Sequence, residues 1–335
     1  MRIFHRSITL AAAALATLPV CAAQAETLPV EGVYAARHDD PAEVRLLGIE
    51  RFGGRAGERL AFAIEDSVRS ATIGGEPWFD ITLNTQGGDV FYIHDEDTGP
   101  ERKATVVQQG GPDAILRGTA SAEVNDTESG AKDVKTCVER DEKKKCIRED
   151  INRYECRSLE VSLRPELRMI SRDGRRLYAK SDYLSASQRY CADEDGSPSV
   201  DSMLQGLIDR FAGEVRLDLV PVERREVLRV LESRKGIVKA DRRAFKNAVK
   251  LTKNDPYGAC LAFKALEATN PQHVSVLFNI GLCEEGDGNL DAASDYYLRA
   301  IEIKPGEGYS AAGLDRIASR RQAEQQLAMH FGSVQ

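Results

Sequence analysis

Few side chains in this sequence have the type and spacing that catalysis requires. After the first 25 residues the histidines are His38, His94, His273 and His330. His94 precedes Asp95-Glu96-Asp97, which could form a weak cation site or half of a catalytic pair, although such a run is more often an acidic turn after a strand. No H-E-x-x-H, G-x-S-x-G or Cys-Gly-x-Cys-Trp pattern occurs. The sequence predicts a protein that is not an enzyme and has no cofactor and no metal. The alternative is an exported hydrolase or ligand-binding enzyme with a site around His94 and Asp95.

The cysteines after residue 25 are even in number: Cys137, Cys146, Cys156, Cys191, Cys260 and Cys283. An even number in an exported chain favours disulfides. The first four could instead form a four-thiolate zinc site, but they lack the close pairs that zinc usually uses. We expect Cys260 to pair with Cys283. The first four have three possible connectivities, of which we favour Cys137 with Cys146, so that Cys156 pairs with Cys191.

Residues 1–25 have the features of a signal peptide. Arg2 and Arg6 precede an apolar stretch at residues 8–20, and Ala23-Gln24-Ala25 offers a cleavage site. The apolar stretch is shorter than the roughly 20 residues that span a bilayer. Cys21 loosely resembles a lipidation site, which leaves a lipid-anchored export component as a further alternative. We expect a periplasmic or secreted protein, cleaved near Ala25.

Composition limits the class of protein. The chain has 335 residues, of which 42% are hydrophobic and 30% charged, so it can form a core. It carries 46 basic and 53 acidic residues, a net charge of −7. This balance argues against a dedicated nucleic-acid binder, because such proteins neutralise phosphates with clustered Lys and Arg.

Residues 26–232 alternate between strand and helix patterns. Residues 44–52 and 78–83 have strand character, and residues 58–71 between them have helical spacing. Further strands are predicted at 90–93, 114–124, 159–170, around Leu177 and Tyr178, and at 215–220, with a helix at 202–212. The pattern predicts an α/β or α+β layer domain. Gly53, Gly54 and Gly57 lack the rest of a phosphate-binding motif, and we interpret them as a plain strand-to-helix turn.

Several segments of this domain carry a family resemblance. Trp78-Phe79 follows the helix, the segment at 112–118 matches an Asp-aliphatic-aliphatic-x-Gly strand start, and residues 161–177 match a later strand pattern. The domain resembles the periplasmic domain shared by the curli-secretion channel, a flagellar assembly protein and outer-membrane activators of penicillin-binding proteins. The resemblance implies a role in assembling a surface structure or in regulating a cell-wall synthase.

One stretch departs from the channel members of that family. Residues 125–157 are rich in both acidic and basic side chains and lack the alternation of a lipid-facing hairpin. We expect no pore. We interpret this stretch as a charged, solvated loop that its cysteines tie down.

Residues 233–335 contain a repeat signature. With Val274 at position 1, a tetratricopeptide repeat of 34 residues has acceptable residues at its key positions. These are Leu277, Ile280, Gly281, Ala293, Tyr297, Ala300 and Pro305, whereas Glu284 stands where an aromatic residue is usual. Ala259, Phe263 and Pro271 lie one period earlier. We predict an all-α module of about two repeats, with a first helix at 242–251 and a capping helix at 309–331.

Tetratricopeptide repeats typically bind extended peptides along the face formed by each first helix. Carried over by position, that face includes Phe278, Asn279 and Leu282, and the Asn279 amide could hydrogen-bond a peptide backbone. The alternative is that Phe278 and Leu282 pack against a neighbouring element. We therefore predict a non-enzymatic protein–protein interaction adaptor of the bacterial envelope. Its expected partners are proteins or peptides, with no nucleic acid, no transmembrane segment, and peripheral association with the outer membrane as an option.

Overall fold

The computed structural model describes residues 26–83, 111–194 and 196–332. The chain divides into two compact units, neither of which is continuous in sequence. Of the described residues, the α/β unit contains those between 31 and 226 and those from 311 to 332. The helical unit contains residues 26–30 and 227–310. This division differs from the predicted boundary at residues 232 and 233, because most of the last helix packs within the α/β unit.

The strands and the first two helices come before residue 230. In chain order they are β1 (Thr27–Tyr34), β2 (Leu46–Ile49), α1 (Gly57–Arg69), β3 (Thr72–Ile73), β4 (Glu76–Pro77), β5 (Asp80–Leu83), β6 (Ala114–Arg140), β7 (Cys146–Ser171), β8 (Arg176–Ser181), β9 (Leu184–Cys191), α2 (Val200–Leu219) and β10 (Val222–Arg229). β1 pairs with β10, and β3 pairs with β4.

A six-stranded sheet forms the centre of the α/β unit. Its order is β5-β2-β6-β7-β8, and β9 also pairs with β7. β2 runs parallel to β5 and β6, and the remaining pairs are antiparallel. Parallel neighbours need a crossover connection, which α1 supplies between β2 and β5. α1 buries Leu60, Ile64 and Val68 in the core, alongside Trp78 and Phe79. The predicted mixture of helices and strands is confirmed.

The glycine turn before α1 is held by the backbone of β6. The N–H of Gly53 donates to Gly118 O at 3.0 Å, and Ala120 N–H donates to Gly53 O at 2.8 Å. Gly54 has a φ of +89°, and a Cβ there would lie 2.2 Å from Ala120 O, so only glycine fits. The turn is therefore a strand-to-helix connection packed against β6, as the sequence indicated.

The charged stretch at residues 125–157 is not a loop, which corrects the sequence interpretation. β6 and β7 continue through it as an antiparallel hairpin with its turn at residues 141–145, and the register shifts after Glu128 and on either side of Glu139. Charged side chains pair along it, as in the Arg157–Asp126 ion pair at 3.0 Å and the Lys132–Asp193 ion pair at 2.9 Å. Because the side chains of the outer hairpin are mostly exposed, no apolar alternation marks these strands in the sequence.

Other predicted elements shift or fall outside the described residues. Residues 215–219, predicted as part of a strand, form the last turns of α2, and the strand that follows is β10. Val215 and Leu219 are buried, so their apolar pattern marks a helix face there. The predicted strand at 90–93, the candidate residues His94 and Asp95, and the signal peptide with Cys21 lie outside the described residues.

The described residues form three disulfides, in the pairs that the sequence favoured. Cys137 bonds to Cys146 near the tip of the β6–β7 hairpin. Cys156 of β7 bonds to Cys191 of β9. In the helical unit, Cys260 bonds to Cys283. The bonds fit an exported protein, because disulfides persist in oxidising compartments.

The remaining helices follow residue 240: α3 (Arg242–Leu251), α4 (Pro256–Glu267), α5 (Val274–Gly286), α6 (Leu290–Ile303) and α7 (Gly308–Phe331). α3 to α6 lie in the helical unit, and consecutive helices pack against each other. The predicted bounds of α3 agree with the structure, and those of α7 agree to within one residue.

Within the α/β unit, a buried amide and a buried imidazole fix α7. Gln326 is fully buried, and its side chain accepts the Ala36 N–H at 2.9 Å and donates to Ala36 O at 3.0 Å. His330 stacks on Trp78 with ring centroids 3.8 Å apart, and its Nδ1 lies 3.0 Å from Ala42 O. The sequence predicted that this helix caps the repeats, whereas residues 311–331 complete the core of the α/β unit.

Gln326→Met removes both bonds to Ala36, together with the bond that Gln326 Nε2 donates to Asp39 Oδ1 at 2.7 Å, at little change in volume. Because the Ala36 N–H and C=O are then buried without partners, we expect the free energy of unfolding to fall by about 2–4 kcal/mol. Guanidinium titration followed by Trp78 fluorescence measures the change. The control is Gln322→Met, which loses only an exposed bond to Asp39 and should change stability by less than about 0.5 kcal/mol. Equal losses in the two variants would contradict this account.

Acid should weaken the packing of α7. Burial lowers the pKa of His330. The His330 imidazole is therefore protonated more readily in the unfolded chain than in the folded one. Its contribution to the free energy of unfolding is fully present above about pH 6.5, and it declines as the pH falls toward the pKa of His330 in the folded state. We expect His330→Gln to show a smaller loss of unfolding free energy than wild type between about pH 7.5 and pH 5. Fluorescence-detected denaturation at both pH values measures it, and identical losses would refute the role of His330.

Candidate partner-binding surface

The predicted partner-binding residues all lie on α5, and α5 is buried. Every residue from Ser275 to Glu285 is buried in the structure. Phe278, Asn279 and Leu282 are 2%, 0% and 1% exposed. A helix that is apolar on nearly all sides must be surrounded by other elements. The structure thus brings the three residues together on one helix and covers all of them.

Phe278 is part of the packing between helices. Its ring lies 5.6 Å from that of Tyr297 on α6 and 6.0 Å from that of Tyr309. Gly281 lets Tyr297 approach, because a Cβ at Gly281 would lie 2.6 Å from the Tyr297 ring. Gly281 and Tyr297 are both key positions of the predicted repeat, and they are in contact here. Phe278 therefore serves as a core side chain in this state.

Asn279 holds a stretch of backbone with both ends of its amide. Its Oδ1 accepts the N–H of Leu231 at 2.8 Å, and its Nδ2 donates to the C=O of Leu231 at 3.0 Å. A fully buried amide must have partners for its donors and its acceptor, and here the main chain of one residue supplies both kinds. The sequence predicted that Asn279 could bind a peptide backbone. The backbone in the structure is that of this same chain.

Residues 230–238, which we call the linker segment, make further contacts of this kind. His273 Nε2 lies 3.0 Å from Lys235 O, and Asn270 Oδ1 accepts the N–H of Val238 at 2.9 Å. Val230 and Ile237 are buried, at 0% and 2% exposure. Burial lowers the pKa of His273, so it is neutral near neutral pH.

The side chains in the middle of the linker segment point away from these contacts. The residues from 232 to 236 are all exposed. The helical unit therefore holds the segment through two apolar anchors and its main chain, and the intervening side chains contribute little. Main-chain contacts of this kind depend little on side-chain identity. The segment is not extended throughout, because the Ile237 N–H donates to Arg234 O at 3.3 Å across a turn in which Gly236 has a φ of +98°.

Glu284, the departure from the repeat pattern, has a charged partner. Its carboxylate accepts from Lys264 Nζ at 2.6 Å and from Asn289 Nδ2 at 2.8 Å. Burial by itself would raise the pKa of Glu284, but these hydrogen bonds outweigh it and lower the value. Beside it, buried Glu285 accepts from the Tyr297 hydroxyl at 2.7 Å. Glu284 thus forms an ion pair between helices at the position where the repeat pattern usually has an aromatic residue.

Sequence reasoning missed a buried charge in the α/β unit. Asp218 accepts hydrogen bonds from Arg37, Tyr178 and Lys180 at 3.0, 2.8 and 2.8 Å. Burial raises the pKa of Tyr178, and its bond to Asp218 raises it further. Both carboxylate oxygens are occupied, so the cluster holds charge in place and does not resemble an acid–base pair. The only signal in the sequence was the two-residue spacing of Tyr178 and Lys180, which puts both on one face of β8.

One group of potential metal ligands occurs among the described residues. Cys191, Asp193 and Glu194 lie close together. The Cys191 sulfur is committed to the bond with Cys156, and both carboxylates face Lys132, at 2.9 and 3.7 Å. These donors are engaged within the protein, so the group does not make a convincing metal site.

No protein-family model matches the chain, and no curated protein matches it. Among solved structures, a neuraminyllactose-binding hemagglutinin homologue from Helicobacter pylori aligns with 64% of this chain and 93% of its own length. The identity is 7% and the TM-score is 0.25. At this TM-score the similarity carries no argument about fold or function.

No helix in the described part of the chain combines the length and the apolar character that crossing a bilayer requires.

Asn279→Leu should release the linker segment. The Leu231 main chain then loses two buried partners, so we expect trypsin to cut after the exposed Arg234 or Lys235 about tenfold faster or more. Mass spectrometry of the fragments over time measures the rate. The control is Gln272→Leu, which changes an exposed amide in the loop before α5. Cleavage after Arg175, in the β7–β8 turn, provides an internal reference, and an unchanged ratio of the two rates would contradict the contact.

Proposed function

We propose that this protein is an exported, non-enzymatic adaptor that binds an extended segment of an envelope protein on the α5 face of its helical unit. The single observation that carries the proposal is the hold of Asn279 on both main-chain groups of Leu231. Such a contact recognises an extended backbone, which any unfolded segment of a partner can present.

The repeat pattern supports the same function. We infer that α3 to α6 are two tetratricopeptide repeats. The contact between Gly281 and Tyr297, two key positions of the pattern, supports this assignment. In this proposal the linker segment stands in for the partner. A partner peptide would displace it, bond to Asn279 through its main chain and place an aliphatic side chain where Val230 lies.

The cellular setting is inferred from the sequence. The signal-peptide features of residues 1–25 and the three disulfides favour the periplasm or the cell exterior. The resemblance of the α/β unit to periplasmic assembly and activator domains suggests that the adaptor serves a surface structure or a cell-wall synthase.

Crosslinking in intact envelopes tests this function with two variants that act in opposite directions. Phe278→Ala/Asn279→Ala damages the proposed face, so the partner should be lost. Ile237→Ser weakens the anchoring of the linker segment and leaves the face intact, so capture of the same partner should rise about threefold or more. Partners are identified by mass spectrometry.

Glu302→Ala, an exposed change on α6, is the matched control and should capture as wild type does. Circular dichroism verifies that each variant is folded. Capture that is equal in all four proteins would show that α5 and the linker segment form a permanent core, and the proposal would fail.

A further inference from the structure

The α/β unit has an open groove that the proposed function does not use. It lies between α1 and α2 and has a volume of about 530 Å³. Its lining residues are Arg59, Phe62, Ala63, Asp66, Ser67, Gln205, Asp209, Ala212 and Gly213. On each helix these positions follow a helical spacing of three, four or seven, so the groove runs along both helices for about two turns.

The groove has an apolar floor and an exposed aromatic wall. Ala212 is 3% exposed, and Ala63 packs against the core. Phe62 is 62% exposed, which is unusual for a phenylalanine next to a packed helix pair. Large apolar side chains exposed beside a concave surface are a mark of binding sites.

Two glycines on α2 lack an explanation within the unit. Gly206 and Gly213 are seven residues apart and lie on the same side of the helix. A Cβ on either would meet no atom of the described chain within 4 Å. Glycine weakens a helix interior relative to alanine, so these positions favour the close approach of a backbone from outside.

The charged residues of the groove favour a ligand with basic side chains. Arg59 is already neutralised, because it donates to Asp201 and to Gln205, each at 2.6 Å. Asp209 accepts a hydrogen bond from Gln205 Nε2 at 2.7 Å, but neither Asp209 nor Asp66 forms an ion pair with a described residue. The groove therefore presents two carboxylates without a cationic partner, on opposite helices across an apolar floor.

We propose that this groove binds an amphipathic helix of another protein that has an apolar stripe flanked by lysine or arginine. Its apolar stripe lies on Ala63, Ala212 and Gly213 beside the Phe62 ring, and its basic residues pair with Asp66 and Asp209. A third helix fits between two packed helices where small residues allow the axes to approach. This surface lies in a different unit from the α5 face. The proposal for the groove therefore does not depend on the adaptor proposal.

The test uses two synthetic helical peptides and the full mature chain. One peptide carries a leucine stripe flanked by lysines, and the other has glutamate in place of every lysine. We expect the lysine peptide to bind the wild type and the glutamate peptide not to bind, by fluorescence anisotropy at physiological salt. Gly213→Leu fills the groove and adds a better helix former, so it should weaken binding at least about tenfold without unfolding the unit.

Two further variants separate the groove from general attraction to an acidic protein. Asp66→Lys/Asp209→Lys should reverse the preference between the two peptides. Ala318→Leu, the same kind of change at an exposed position of α7, should bind as wild type does. Binding that survives Gly213→Leu, or no binding to wild type, overturns the proposal.

A second copy of this chain is the competing occupant. If the wild type self-associates in analytical ultracentrifugation and Gly213→Leu makes it monomeric, the groove is a contact between copies, and the assignment to a partner helix is wrong.

Discussion

Two buried amide side chains determine where the irregular parts of this chain lie. Asn279 in the helical unit satisfies the N–H and the C=O of Leu231, and Gln326 in the α/β unit does the same for Ala36. A buried main-chain group without a partner costs about 1–3 kcal/mol, so each amide fixes a segment that has no secondary structure to hold it. Hydrophobic packing is non-directional, so by itself it does not specify which residue of an irregular segment is bound.

The Asn279 amide also limits the specificity of the proposed partner binding. A side chain that binds main-chain atoms does not distinguish the linker segment from another extended chain, so specificity must come from the anchors. The linker segment is tethered and therefore present at a high effective concentration, which a partner in solution must overcome. The affinity measured for a partner would thus reflect this competition as well as the contacts.

The outer part of the β6–β7 hairpin is ordered without a hydrophobic core. The base of the hairpin lies in the six-stranded sheet, where Leu116, Leu163 and Leu167 are buried. Its outer part is mostly exposed and depends on backbone pairing, on ion pairs along the strands and on the disulfide at the tip. Because these interactions leave no apolar pattern, the sequence predicted a loop there. The hydrogen bonds between the two strands join main-chain groups, so the side-chain types in the sequence do not indicate them.

By itself, the sequence determined the elements with a buried face. The spacing of Leu60, Ile64 and Val68 defined α1, and the small and aromatic residues at repeat spacing located the helices of the helical unit. The tertiary structure alone decided what covers each face: the linker segment on Asn279, and α7 on Trp78. Periodicity reports that a side chain is buried but not by what, because apolar burial is non-directional and any apolar surface satisfies it equally. The choice among possible covers rests on hydrogen bonds between residues far apart in the chain, and one sequence carries no record of such pairs.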